Sequence, residues 1–179
     1  MQFRQHIIIF SFFLSFIGTL NAASDLSNRR APGFALPDLN VQYHDLYKYR
    51  GKVVIVNVMQ TTCPHCKSFS KNLKRVADKY GAKIQVINIV LPPDTQQSVR
   101  EYMNRMGSYT SRQLFLFDCG QVSASYLRVT PENPGIDTPH FFVIDSLGWI
   151  QDDYGYNALN DNIFTGEGLD EIINRYLPN

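Results

Sequence analysis

The sequence predicts an α/β fold in which a central mixed β-sheet is flanked by helices. Three apolar runs rich in β-branched residues predict strands, and they alternate with amphipathic segments of helical spacing; the runs are "VVIVNVM", "KIQVINIVL" and "QLFLF". Strands separated by helices are typical of parallel pairing. The later segment "HFFVIDSLGWIQDDY" predicts an antiparallel hairpin around a Gly-containing turn, so both kinds of pairing are expected in the sheet.

Length and composition limit the function classes. A chain of 179 residues with 44% hydrophobic and 13% aromatic residues is long enough for one domain with a substantial core, and it is too apolar for a disordered protein. The formal net charge is +1, and Arg4 is the only charged residue within positions 1–22, so the chain without that segment is near neutral (1 − 1 = 0). Nucleic-acid binding therefore has no electrostatic support.

The N-terminus predicts export. Residues 1–22 combine Arg4 with an apolar stretch that is shorter than the roughly 20 residues of a spanning helix, which is typical of a secretory signal peptide. We expect cleavage after this segment, with an uncleaved membrane anchor as the alternative. The polar residues 23–31 predict a linker, and residues 32–179 form the predicted domain. The expected location is the periplasm or another extracytoplasmic compartment, where disulfides persist.

The elements follow in order along the domain. The segments "FAL" and "YHDLYKY" predict two short strands, or a strand and a turn, before Gly51, as an N-terminal strand extension. "VVIVNVM" is apolar on both faces, as in a central strand covered by helices. After Cys63, Pro64 suits the first turn of a helix that ends at Gly81. Its apolar positions are Phe69, Leu73, Val76 and Tyr80.

The second half contains three more predicted helices. "DTQQSVREYMNRMG" predicts a helix with Asp94 or Thr95 as its N-cap, and "QVSASYLRV" predicts a short one. "NPGIDTP" is typical of a loop, and "GLDEIINRYL" predicts a terminal amphipathic helix.

Chemistry is expected at Cys63 and Cys66. A cysteine at the start of a helix meets unsatisfied N–H groups and the positive end of the helix dipole, which stabilise its thiolate. The x-x spacing brings Cys66 one turn on, within reach of a disulfide. We therefore expect Cys63 to attack and Cys66 to resolve. Pro64 and His65 lie between them and should tune the couple, because an imidazole can donate a hydrogen bond to the Cys63 sulfur.

Three stretches carry a resemblance to a known family. "APGFALPDLN", "VVIVNVMQTTCPHC" and "DTPHFFVIDSLGWI" together resemble the thioredoxin superfamily, and more narrowly the exported TlpA/ResA/CcmG-type thiol-disulfide oxidoreductases of the redoxin (AhpC-TSA) superfamily. The resemblance implies a thioredoxin-like fold. It also implies that Cys63 and Cys66 are the redox pair and that Pro139 is the family's cis-proline. Thr138, just before it, would then offer its backbone to a substrate peptide.

The same resemblance has implications for partners. Cysteine-containing exported proteins are the expected substrates, with apocytochrome c and cytochrome c maturation as the family's example, and a membrane redox partner would recycle the thiols. A monomer without metal or organic cofactor is expected. Pro-His is also the dipeptide of the strongly oxidising DsbA, which favours a more oxidising couple than that of CcmG-like reductases. The sequence leaves open whether the protein oxidises, reduces or isomerises.

Other interpretations of these cysteines stay open at this point. A zinc site needs four ligands, and a copper-handling chaperone would pair the cysteines with a histidine such as His140. A peroxiredoxin-like peroxidase would carry a threonine or a serine where Gln60 stands. A binding module with a structural disulfide is a further alternative. Cys119, the third cysteine, is either a small apolar filler or a reactive thiol.

Overall fold

The computed structural model describes residues 26–107 and 112–178. The signal segment predicted at residues 1–22 lies outside these ranges. The strands are β1 (Arg29–Arg30), β2 (Ala35–Pro37), β3 (Tyr43–Asp45), β4 (Val53–Met59), β5 (Ile84–Val90), β6 (Gln113–Phe117), β7 (His140–Ile144) and β8 (Trp149–Gly155). The helices are α1 (Pro64–Tyr80), α2 (Gln96–Met106), α3 (Gln121–Leu127), α4 (Asp161–Thr165) and α5 (Gly168–Tyr176).

The described strands form the predicted mixed sheet and, apart from it, a two-stranded hairpin. The sheet has the order β1-β8-β7-β4-β5-β6, and β2 pairs with β3 alone. β4, β5 and β6 are parallel, whereas β7 is antiparallel to both β4 and β8. The carboxyl ends of the three parallel strands therefore lie at one edge of the sheet, and the segment after β4 begins there.

Apolar layers cover both faces of the sheet. All seven residues of β4 are buried, which confirms its central position. On one face, alternate β4 residues pack with the β2–β3 segment and α3. On the other face, α1, α4 and α5 supply Phe69, Leu73, Phe164 and Leu169, among others. A third cluster joins α2 to Cys66 and the ends of β4 and β5.

The helix ends follow local chemistry. Pro64 stands at the start of α1, and Gly81 closes it with φ of 57°, a conformation that glycine adopts without a steric penalty. Thr95 caps α2 in a reciprocal pair with Ser98, so the sequence's choice between Asp94 and Thr95 falls on Thr95.

Regular secondary structure begins inside the segment 23–31, which the sequence predicted to be a linker. Arg29–Arg30 pairs with β8 as an edge strand, and the flanking N–H groups of Asn28 and Ala31 donate to the carbonyls of Ile150 and Gly148 at 2.8 and 3.0 Å. The Arg29 guanidinium also donates to the carbonyls of Leu26, Ser125 and Tyr126, the last two at the end of α3. Main-chain pairing and one arginine thus order a segment whose composition is that of a linker.

Two short helices complete the comparison. Residues Leu46–Tyr49 form a 3-10 turn after β3, which is the alternative of a strand and a turn, and the Asp45 carboxylate caps it by accepting the N–H of Tyr47. The sequence did not predict α4. Among the helices in residues 26–107 and 112–178, none has the length and apolarity needed to cross a bilayer.

Candidate active site

The two cysteines of the motif lie at the amino end of α1. Cys63 is its N-cap residue, half-buried, and the Cys66 N–H donates to the Cys63 sulfur at 3.1 Å. Both are free thiols. Sulfur at a helix N-cap receives the N–H groups that would otherwise lack partners, so negative charge on Cys63 is stabilised there.

Cys66 has a different environment. Its side chain is fully buried. Burial, and then the hydrogen bond with Cys63, raise the pKa of the Cys66 thiol; hydrogen bonds from the Gln60 backbone and the Thr138 side chain oppose this more weakly. Cys66 is therefore held as a protonated thiol in the reduced protein, whereas Cys63 is accessible and N-capping.

The loop before β7 closes over the pair. The Thr138–Pro139 bond is cis, as the resemblance implied. The Cys63 thiol donates to the Thr138 carbonyl oxygen at 3.4 Å, and the Thr138 side chain hydrogen-bonds Cys66. Thr138 thus contacts both sulfurs. The carbonyl of buried Pro139 accepts the N–H of Tyr156, which follows β8, at 3.1 Å.

The residues between the cysteines face solvent. Pro64 and His65 are both exposed. The His65 ring stacks on Tyr156, with centroids 3.9 Å apart and planes 23° from parallel. Sequence reasoning considered His65 only as a donor to Cys63 and missed Tyr156, because 91 residues separate Tyr156 from His65 and only the fold brings them together.

Asp94 is a second residue whose role was missed. Its carboxylate accepts the N–H of Thr61 at 2.6 Å and the hydroxyls of Thr61 and Ser98. Gln60 adds a bond from its amide to the Pro92 carbonyl at 2.9 Å. The loop that leads into Cys63 is therefore fastened to the loop between β5 and α2. The only sequence signal was the position of Asp94 next to a predicted helix start.

A buried amide pair lies on β4 and β5. The Asn57 amide donates to the Asn88 side-chain oxygen at 2.9 Å, and the Asn88 amide donates to the Leu114 carbonyl at 3.1 Å. Among the described residues, the Asn57 side-chain oxygen has no hydrogen-bond partner.

His140, the possible copper ligand, and Cys119, the third cysteine, have other surroundings in the structure. His140 begins β7, and its ring contacts Asp153 at 3.2 Å and stacks on Phe142 at 4.8 Å. Cys119 is exposed after β6. Within residues 26–107 and 112–178, no three His, Cys, Asp or Glu side chains are grouped as a metal site. The geometry around Cys63 instead suits thiol-disulfide exchange.

Comparisons with known proteins point to the same chemistry. A model of the AhpC/TSA family matches residues 28–152. The "Thiol:disulfide interchange protein DsbE" of Allochromatium vinosum is 30% identical over 137 residues, which cover 72% of this chain and 66% of that protein. The "Thiol-disulfide oxidoreductase ResA" of Geobacillus kaustophilus is 34% identical over 80 residues, 43% of this chain and 44% of that protein.

A solved structure confirms the thioredoxin-like fold. The structure is that of a thiol:disulfide interchange protein of the thioredoxin family from Chlorobium tepidum. It superposes with a TM-score of 0.67 over 84% of this chain and 97% of that one, with 20% sequence identity. The matched segments span 66% of the DsbE relative, just under two thirds, and 44% of the ResA relative.

Proposed function

Because this chain belongs to the AhpC/TSA family, we propose that it is an exported thiol-disulfide oxidoreductase that exchanges its Cys63–Cys66 dithiol or disulfide with cysteines of partner proteins. The observation that carries the proposal is the asymmetry of the pair. Cys63 is half-exposed at a helix N-cap, and Cys66 is buried one turn on with its N–H bonded to the Cys63 sulfur.

The exchange follows from that asymmetry. In the reducing direction, the Cys63 thiolate attacks one sulfur of a partner disulfide, forming a Cys63–partner disulfide and releasing the other partner sulfur as a thiolate. Cys66 then loses its proton and attacks the Cys63 sulfur, which releases the second partner thiolate and leaves the Cys63–Cys66 disulfide. Two electrons pass from the protein to the partner, and the proton that Cys66 loses passes to one of the released thiolates or to water. The oxidising direction is the reverse.

Thr138 and Pro139 form the substrate-binding part of the proposal. Thr138 lies against both sulfurs, so a peptide placed along its backbone would bring its own sulfur close to Cys63. The expected substrates are exported proteins that contain cysteine, with apocytochrome c and cytochrome c maturation as the example drawn from the family. A membrane redox partner would return the pair to its starting state.

Export rests on the segment 1–22 and would place the exchange in the periplasm or another extracytoplasmic compartment. The names of the relatives, a thiol:disulfide interchange protein and a thiol-disulfide oxidoreductase, support the reaction class. Pro64 and His65, between the cysteines, would tune the potential of the couple.

Trapping in the exporting cell tests the proposal. Cys66→Ser should accumulate mixed disulfides with partner proteins, because Cys63 still attacks but the second step is lost. In a Cys119→Ser background, Cys63→Ser should trap almost nothing, since the one thiol left, Cys66, is buried and protonated. Non-reducing gels with and without dithiothreitol measure both variants, with Cys119→Ser as the control that should match the wild type. Equal trapping by the Cys63 and Cys66 variants, or by neither, would overturn the assignment.

A further inference from the structure

Tyr156 connects the two sides of the proposed redox site. Its ring stacks on His65, the residue just before Cys66. Its backbone N–H donates to the carbonyl of Pro139, next to the Thr138 carbonyl that accepts the Cys63 thiol. One residue thus contacts both the helix that carries the cysteines and the loop that faces them.

Tyr156 is itself held in place. Its ring packs edge-on against Phe164, with centroids 5.3 Å apart and planes at 79°, and Phe164 is fully buried. Its hydroxyl hydrogen-bonds the Asp161 carboxylate at 3.3 Å. The phenol ring is therefore a fixed surface, while His65 is an exposed side chain that would otherwise sample several rotamers.

We propose that Tyr156 is a positioning residue for the redox couple: by stacking on His65 it holds the imidazole on the side of the helix that faces the Pro139 loop, where the Cys63 sulfur lies. The stack restricts the polar ring to the rotamer that lies against Tyr156, whose backbone is bonded to the Pro139 loop. An imidazole fixed there can donate a hydrogen bond towards the Cys63 sulfur and so stabilise negative charge on it. Stabilising the thiolate stabilises the reduced protein, so Tyr156 makes the couple more oxidising.

This inference rests on the proposed exchange function and makes a separate claim, that Tyr156 acts through His65. A double-mutant cycle isolates such a claim, because two residues that act through one contact give non-additive effects. The equilibrium constant for reduction of the Cys63–Cys66 disulfide by glutathione is the measured quantity, for the wild type, Tyr156→Leu, His65→Thr and the double variant.

Tyr156→Leu should lower that constant about two- to fivefold, which corresponds to about 10 to 20 mV for a two-electron couple. In the His65→Thr background the same substitution should change nothing further. Tyr156→Phe is the matched control: it keeps the ring and loses only the hydroxyl bond to Asp161, so it should behave as the wild type.

A purely structural role for Tyr156 would lower thermal stability and leave the equilibrium constant unchanged. If Tyr156→Leu does not fold, Tyr156→Met is used instead, because its flexible side chain fills the space beside Phe164 without a stacking surface. An unchanged constant, or an equal shift with and without His65, would overturn the inference while the exchange itself stands. Failure of the wild type to equilibrate with glutathione would instead remove the proposed function, and this inference with it.

Discussion

The Cys63 thiol donates a hydrogen bond of 3.4 Å to the main-chain oxygen of Thr138, a residue 75 positions away. The side chain of the same threonine hydrogen-bonds Cys66. The two functions of Thr138 are therefore separable by mutation: the carbonyl contact to Cys63 belongs to the backbone, and the contact to Cys66 belongs to the hydroxyl.

Thr138→Val should slow the second step of exchange and spare the first. The valine keeps the shape and the carbonyl, but it removes the hydrogen bond that lowers the pKa of Cys66 against the larger effect of burial. A net hydrogen bond of about 1 kcal/mol corresponds to roughly a fivefold slower release of a mixed disulfide. Stopped-flow kinetics with a model peptide disulfide separate the two steps.

Thr130→Val is the control, because Thr130 lies in an exposed turn. Equal release rates for the wild type and Thr138→Val would contradict the role of the Thr138 hydroxyl.

Local signals explain why the sequence predicted so much of this site. The buried strand β4, the proline at the start of α1 and the x-x spacing all act within a few residues, so the sequence alone places Cys63 at the helix N-cap and Cys66 behind it. Contacts made across the sheet gave no such signal. Tyr156 meets His65, and Asp94 meets Thr61, only because the ends of several strands converge at one edge.

The N-terminal segment is a second case in which local composition did not predict a long-range contact. Polar residues around Arg29–Arg30 resemble a linker, and nothing nearby in the sequence indicates that β8 has an unpaired edge to receive them. Composition describes how a segment would behave alone. Pairing with a strand 120 residues later is a property of the assembled sheet.

Asp94→Ala should destabilise the reduced protein by about 1.5 to 3 kcal/mol, because a carboxylate that accepts a partly buried backbone N–H is a charge-assisted bond and Thr61 keeps no substitute. Urea denaturation with Cys63 and Cys66 reduced measures the free energy of unfolding.

Asp78→Ala is its matched control. Asp78 pairs with Lys74 at 2.6 Å on the exposed face of α1, where an ion pair contributes at most about 0.5 kcal/mol. If the two alanine variants lost the same stability, the contact between Asp94 and Thr61 would not fasten the active-site loop.

Acid stability should depend on Asp170. Burial raises the pKa of this carboxyl, but hydrogen bonds from Arg75, Lys79 and Tyr80 outweigh it and lower the pKa from 3.8 to about 2. A lowered folded-state pKa contributes stability above pH 4 that is lost as the pH falls through about 2, and the difference is worth about 2 kcal/mol.

Asp170→Asn should therefore be less stable than the wild type at pH 6 and should lose less stability between pH 4 and pH 2. Thermal unfolding at a series of pH values measures this, with Asp78→Asn as the surface control. A wild-type-like pH dependence in Asp170→Asn would assign the acid sensitivity to other carboxylates.

His65→Thr bears on the direction of exchange. His65 is exposed in the first turn of α1, and its ring lies against Tyr156, on the side of the Pro139 loop. An imidazole held there favours the Cys63 thiolate and therefore the reduced protein, which makes the disulfide form the stronger oxidant. The threonine variant should be more reducing, by up to about 30 mV for each tenfold loss of thiolate stabilisation, and its Cys63 should be alkylated more slowly at neutral pH. The comparison is with Lys71→Thr, which removes an exposed cation farther along the same helix and should leave both quantities unchanged. Should the two variants match the wild type in potential and in alkylation profile, His65 would be a surface residue without influence on the couple, and the expectation of an oxidising protein would lose its basis.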